Sequence, residues 1–209
     1  MQFIHDPRAI ETRSMEIIEE LLGDHPFSRA EKALVKRMIH ASGDPEFGAL
    51  ARFHPESMER GLAALKNGAP IFTDVQMVAA GINRRAAGRL GCRIHCAISD
   101  DRVASLAKRE GITRAMAAFR LWGEALEGSI VAIGNAPTAL FELLRLHREQ
   151  GITPALVIGV PVGFVGAAES KEALMQSPLT YITVQGRKGG SPIAAGIVNG
   201  LLYLMQPER

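Results

Sequence analysis

The chain has 209 residues, 47% of them hydrophobic and 22% charged. That is enough apolar material for one compact domain with a substantial core. A formal net charge of +2 excludes the strongly basic surface of a nucleic-acid protein, and aromatics at 5% leave few stacking platforms. No secretory signal is visible at the start, where charges mix with apolar residues at helical spacing. The longest uncharged apolar run, 154–168, is broken by Gly159, Pro161, Gly163 and Gly166, too short for a membrane span. A cytoplasmic protein with no membrane contact is expected.

The first 67 residues read as mostly helical. Ile10, Ser14, Ile17, Ile18 and Leu21 trace one face of a helix starting near Pro7. A second helix opens with the capping box Ser28-Arg29-Ala30-Glu31 and stops at Gly43. It carries His40 in its last turn, off the apolar stripe of Leu34, Val35, Met38 and Ile39. A short helix follows Asp44-Pro45, and another spans about 55–67, closed by Asn67-Gly68.

From residue 68 the pattern becomes an α/β core. Short apolar runs at 70–73, 92–98, 129–133, 155–160 and 181–184 alternate with helical stretches at 75–89, 102–126, 137–150, 169–176 and 191–205. Continuous apolar strands between helices predict parallel strands covered on both faces. The expectation is a three-layer α/β/α fold with about five parallel strands, flavodoxin-like, flanked by the N-terminal helices.

Cys92, His95 and Cys96 do not read as a metal site. On a strand His95 faces away from both cysteines, which themselves lie about 13 Å apart. Ligands of such sheets bind beyond the carboxyl ends of the strands. There the chain places Gly134-Asn135-Ala136-Pro137-Thr138 and Gly186-Arg187-Lys188-Gly189-Gly190-Ser191, each a glycine-containing turn before a helix. Amides there can hold anions, and Arg187 and Lys188 add charge. α/β loops also need glycine for turns. Neither the Walker pattern nor a dinucleotide Gly-x-Gly-x-x-Gly is present.

Three side chains stand out as candidates. An imidazole titrates near neutral pH, which suits His40 to proton donation. The carbonyls at its helix end favour the imidazolium, while Lys36 and Arg37 on the same face disfavour it. Arg114 follows the N-cap Thr113, so its charge opposes the helix dipole unless an anion bridges the two. Ser14 interrupts an apolar stripe; its hydroxyl can serve a ligand or simply bond back to the carbonyl four residues earlier.

These residues lie in segments that resemble the precorrin-8X and cobalt-precorrin-8 methylmutases of cobalamin biosynthesis. The matching motifs are Arg37-Met38-Ile39-His40-Ala41-x-Gly43-Asp44, Gly68-Ala69-Pro70-Ile71 with Asp74-x-x-Met77, 129–140, Pro161-Val162-Gly163-Phe164-Val165-Gly166 through Lys171, and 186–191. The resemblance spans nearly the whole chain. It implies an isomerase that moves a methyl group from C-11 to C-12 of a corrinoid macrocycle without an external cofactor. It puts the catalytic histidine at His40 and substrate contacts at Ser14 and Arg114, and it implies a homodimer. Met15 stands where the family pattern leads one to expect an aromatic. From the residues themselves, Gly134, Asn135, Arg187 and Lys188 are added as holders of the substrate's carboxylates, with Val162, Phe164 and Val165 covering the ring. A non-catalytic corrinoid carrier and a nucleotide-binding α/β protein are the competing readings.

Overall fold

The computed structural model describes residues 5–205. It opens with α1 (Pro7–Leu22), capped by the Asp6 carboxylate on the amides of Arg8 and Ala9. α2 (Arg29–Ser42) has the anticipated capping box, Ser28 and Glu31 each accepting from the other's amide, and ends on Gly43 in the left-handed region. α3 (Phe47–Leu50), β1 (Ala51–Phe53) and α4 (Ser57–Lys66) follow. The remainder runs β2 (Ile71–Thr73), α5 (Gln76–Gly81), α6 (Arg84–Arg89), β3 (Ile94–His95), α7 (Asp101–Glu110) and α8 (Arg114–Trp122). After a 3-10 turn at Gly123–Leu126 come β4 (Ile130–Ile133), α9 (Pro137–Gln150), β5 (Leu156–Gly159), α10 (Ala167–Met175), β6 (Tyr181–Val184) and α11 (Ser191–Leu204).

The sheet order is β1-β6-β5-β4-β2-β3. All pairs are parallel except β1 with β6. The five parallel strands alone have the flavodoxin-type order, and its switch point falls between β2 and β4. β1 was not anticipated. Three residues, Ala51-Arg52-Phe53, carry no readable alternation, and the partner lies far along the chain. Being short and carrying an exposed arginine, β1 also blunts the sheet edge.

Two expected helices are divided. Asn83 accepts from Ala86 and starts α6 within the span read as 75–89. Gly111, in the left-handed region, ends α7, and Thr113 caps α8 within 102–126. The strand read at 92–98 shrinks to two residues, because Ala97 to Asp100 already turns into the α7 cap. The Cys92 thiol points at the Leu65 carbonyl, and the His95 ring stacks on Phe72.

Alternate strand residues feed two cores, as a doubly covered sheet requires. Ile71, Ile130, Ala132, Ile158 and Ile182 meet α2 and α11 through residues such as Met38, Ile39, Ile197 and Leu201. Val131, Ile133 and Val157 meet α8, α9 and α10 through Phe119, Leu140, Leu143 and Leu174.

Between α8 and α9 the second layer buries a carboxylate. Glu142 of α9 is 1% exposed. It accepts from Arg120 of α8 at 2.8 Å and from Arg145 at 2.6 Å, and Arg120 continues to Glu110 at the end of α7. Burial pushes this carboxyl up, but the two guanidiniums outweigh it and hold it below the usual range. Removing the carboxylate strands two cations that can partly rehydrate. Glu142→Ala is therefore expected to cost about 2–3 kcal/mol, a fall in Tm of roughly 4–12 °C by calorimetry. An unchanged Tm would show that the network adds nothing.

Candidate active site

The crevice at the switch point is filled from within. Asp74, directly after β2, is fully buried. Its carboxylate accepts from three successive amides after β4: Gly134 at 3.1 Å, Asn135 at 2.8 Å and Ala136 at 2.7 Å. Burial raises its pKa, and the three amides pull the other way. α9 has no side-chain cap of its own, so Asp74 serves its N-terminus from another strand. Gly134 is also required sterically. A Cβ there would lie 2.7 Å from the Ser191 backbone, where α11 crosses the end of β4. The expectation that the Gly134 and Asn135 amides hold a ligand's carboxylates is therefore corrected: the chain's own carboxylate occupies them. The same contact closes the crevice to a nucleotide phosphate.

To the side of this crevice lies a cavity that His40 lines. α2 packs against α11. His40 is exposed at the end of α2, and it lines a cavity of about 240 Å³ with Arg37, Ala41, Pro192, Asn199 and Tyr203. Asn199 accepts from the Asn83 amide at 2.7 Å and donates to the Gly81 carbonyl, so this wall is fixed. The two cations flanking His40 in sequence are both compensated by α1. Lys36 pairs with Glu19 at 2.8 Å, and Arg37 pairs with Glu11 at 2.9 Å while its guanidinium lies over the Tyr203 ring. Lys32 and Lys36 in turn hold the Glu19 carboxyl at about 2.

Two loops complete the rim. After β5, Val162, Phe164 and Val165 project into solvent, the last two 84% and 90% exposed. After β6, Arg187 lies over the Phe164 ring, and its carbonyl accepts from Gly163. Lys188 does not offer a free charge: its ammonium pairs with Asp44 and with Glu46, in the turn after α2. This corrects its reading as an unencumbered carboxylate holder. Arg114 is exposed at the start of α8, and no ion pair reaches it among the described residues. The Thr113 hydroxyl bonds Thr138 in the first turn of α9, which places Arg114 at the carboxyl edge but in the layer opposite His40. Ser14 donates to the Ile10 carbonyl at 2.8 Å, the local alternative read from sequence. A roomier groove of about 950 Å³ runs along α1, lined by Glu11, Glu16, Glu19 and Glu20 together with Arg8 and Lys36, an acid-rich lining less suited to a polycarboxylate.

Comparison with known proteins decides the family. A family model described as Precorrin-8X methylmutase matches residues 9–204. The chain belongs to that family. It is 44% identical over 205 residues to the cobalt-precorrin-8 methylmutase of Leptospira interrogans, covering 94% of this chain and 93% of the relative. It is 45% identical over 201 residues to the precorrin-8X methylmutase of a Sinorhizobium species, covering 95% of each. Among solved structures, the precorrin-8X methyl mutase of Thermus thermophilus superposes with a TM-score of 0.87 at 40% identity, over 94% of this chain and 97% of that one. This methylmutase is thus an isomerase of cobalamin biosynthesis acting on a precorrin-8 tetrapyrrole, and the carrier reading is set aside.

Sequence reasoning quoted Asp74 within a motif but gave it no role. The available signal was an acidic residue closing an apolar strand. Asn199 offered a signal, a lone amide interrupting the apolar run of α11, whereas Tyr203 offered none. Asp74→Ala should leave three convergent amides unpaired, at a cost of about 2–4 kcal/mol. Formate should bind those amides and recover part of the lost Tm, whereas chloride at equal ionic strength should recover less. Identical melting in both salts would mean that the amides find other partners.

Proposed function

We propose that the enzyme shifts a methyl group from C-11 to C-12 of precorrin-8X or its cobalt form, with His40 as the acid. The carrying observation is the position of His40: exposed, at the carboxyl edge, lining a cavity beside Arg37, which is paired with Glu11 of α1. The product is then hydrogenobyrinic acid or its cobalt counterpart, cobyrinic acid.

The imidazolium protonates or hydrogen-bonds the macrocycle near the migration site. This draws electron density from the ring and lowers the barrier to migration. The bond from the methyl carbon to C-11 breaks as the bond to C-12 forms. Substrate and product are isomers, so the lent proton must return to the base. No external cofactor enters. The rest of the rate enhancement comes from holding a flexible ring in a reactive shape.

Arg187 and Arg114 are the free cations for the peripheral carboxylates, with Ser14 as a further contact. Lys188, Gly134 and Asn135 serve the site through the loops they build. Val162, Phe164 and Val165 offer an apolar face to the ring.

The enzyme acts as a cytoplasmic homodimer in this reading. A cavity of about 240 Å³ is below the roughly 300–1,000 Å³ of ordinary ligand pockets, so one subunit does not enclose a tetrapyrrole. Ile10, Ile17 and Leu21 leave an exposed apolar stripe along α1 around Ser14, which suits burial against a second copy.

An absorbance assay with metal-free and cobalt-loaded precursor tests the chemistry. His40→Ala should lower kcat by about 10²–10⁴-fold. Wild-type turnover by the variant overturns the acid role. Arg114→Ala should raise KM on the order of tenfold with a smaller change in kcat. An unchanged KM would remove Arg114 from the carboxylate contacts.

A further inference from the structure

Lys171 of α10 is completely buried. Its Nζ donates to the Lys188 carbonyl at 2.6 Å, and among the described residues no carboxylate pairs with it. Glu169 and Glu172 on its own helix face solvent, and Glu142 on the adjacent α9 is committed to Arg120 and Arg145. Asp44 and Glu46 are held by the Lys188 ammonium. Burial alone lowers the Lys171 pKa to about 8. A desolvated ammonium without a counter-ion costs stability, and a methionine would fill the same space without that cost.

What Lys171 grips explains its presence. The loop after β6 is drawn against the loop after β5 at three points: Lys171 on the Lys188 carbonyl, Gly163 on the Arg187 carbonyl, and the Gly190 amide on the Val160 carbonyl at 2.8 Å. The approach is so close that a Cβ at Gly189 would lie 2.2 Å from the Val160 oxygen. Lys188 then extends the other way, to Asp44 and Glu46 beyond the His40 helix. Its backbone is fixed by a buried cation, and its side chain is fixed to the turn behind His40.

We propose that Lys171 is a positioning residue for the methyl shift. Through the Lys188 carbonyl it sets the spacing between the loop bearing Arg187 and the helix end bearing His40. This rests on the roles assigned above to those two residues.

The test uses the full chain. Lys171→Met should lower kcat/KM by about 10- to 100-fold, since small misplacements near a reacting group are expensive. Its Tm should hold or rise. A purely structural role would leave kcat/KM intact whatever the change in Tm, and that result overturns the proposal. A double-mutant cycle with Lys188→Met adds a second criterion. Both changes break one linkage, so their effects on kcat/KM should be strongly less than additive, and full additivity counts against the linkage. If Lys171→Met does not fold, Lys171→Gln is measured with the same readouts and the same deciding outcomes. The native protein supplies a further check. Below pH 8 folded and unfolded states both carry the proton; between about 8 and 10.5 the unfolded state binds more, so stability should rise with pH there, and the slope should vanish in Lys171→Met. Wild-type failure to convert either precursor would sink the reaction itself. An active wild type with a fully active Lys171→Met would sink only the role of Lys171.

Discussion

The organisation of this enzyme depends on one buried carboxylate. A flavodoxin-type sheet presents its natural anion site where strand order reverses, and here Asp74 occupies it by accepting from three amides in a row. Two consequences follow. α9 gains an N-terminal cap that its own sequence lacks. In the proposed reading the ligand lies away from the middle of the sheet, towards α2, α11 and the loops after β5 and β6, which bear the apolar tip and the cations. The fold is widely shared, while what its switch point can accept is set here by a single side chain.

A second theme is internal neutralisation. With a net charge of only +2, the chain has little excess cation to offer a polycarboxylate. Glu11 pairs with Arg37, Glu19 is shared by Lys32 and Lys36, and Asp44 and Glu46 pair with Lys188. These pairs remove charge from beside His40 and leave Arg114 and Arg187 at a distance on the rim. The proposed chemistry benefits from that arrangement. An imidazolium needs relief from neighbouring cations, whereas the substrate's carboxylates extend outward from the ring and can be met at its periphery.

Local physics was the legible part of the sequence. The Ser28 capping box, the stop at Gly43 and the Thr113 cap are written within a few residues and appear as read. So do four of the five parallel strands, whose apolar runs need no partner to be recognised, while the run read at 92–98 keeps only Ile94 and His95 as strand. β1 was illegible because three residues acquire strand geometry only by pairing with β6. The occupancy of the amides at Gly134 and Asn135 was hidden for the same reason, since their partner Asp74 lies in another βα unit. Lys188 looked like a ligand holder because sequence shows a cation in a glycine loop but not the two carboxylates awaiting it. What pattern reading lacks is the long-range electrostatic partner, and that partner decides whether a polar group is available.

The remaining difficulty for one subunit is geometric. His40 and Arg114 stand in opposite helical layers at the same edge of the sheet, and Ser14 lies on α1, outside both. A single small ligand would not touch all three, but a macrocycle with carboxylates around its periphery can span such a rim. Its upper face would then meet Phe164 and Val165, which are largely exposed although Arg187 lies over the Phe164 ring. Apolar side chains this exposed are costly unless something buries them. In the proposed dimer the ring and the second copy share that task, so an empty site carries the cost and substrate binding relieves it. Part of the binding energy then comes from covering the protein's own apolar loop, which would make affinity depend on the rim as a whole rather than on any one arginine.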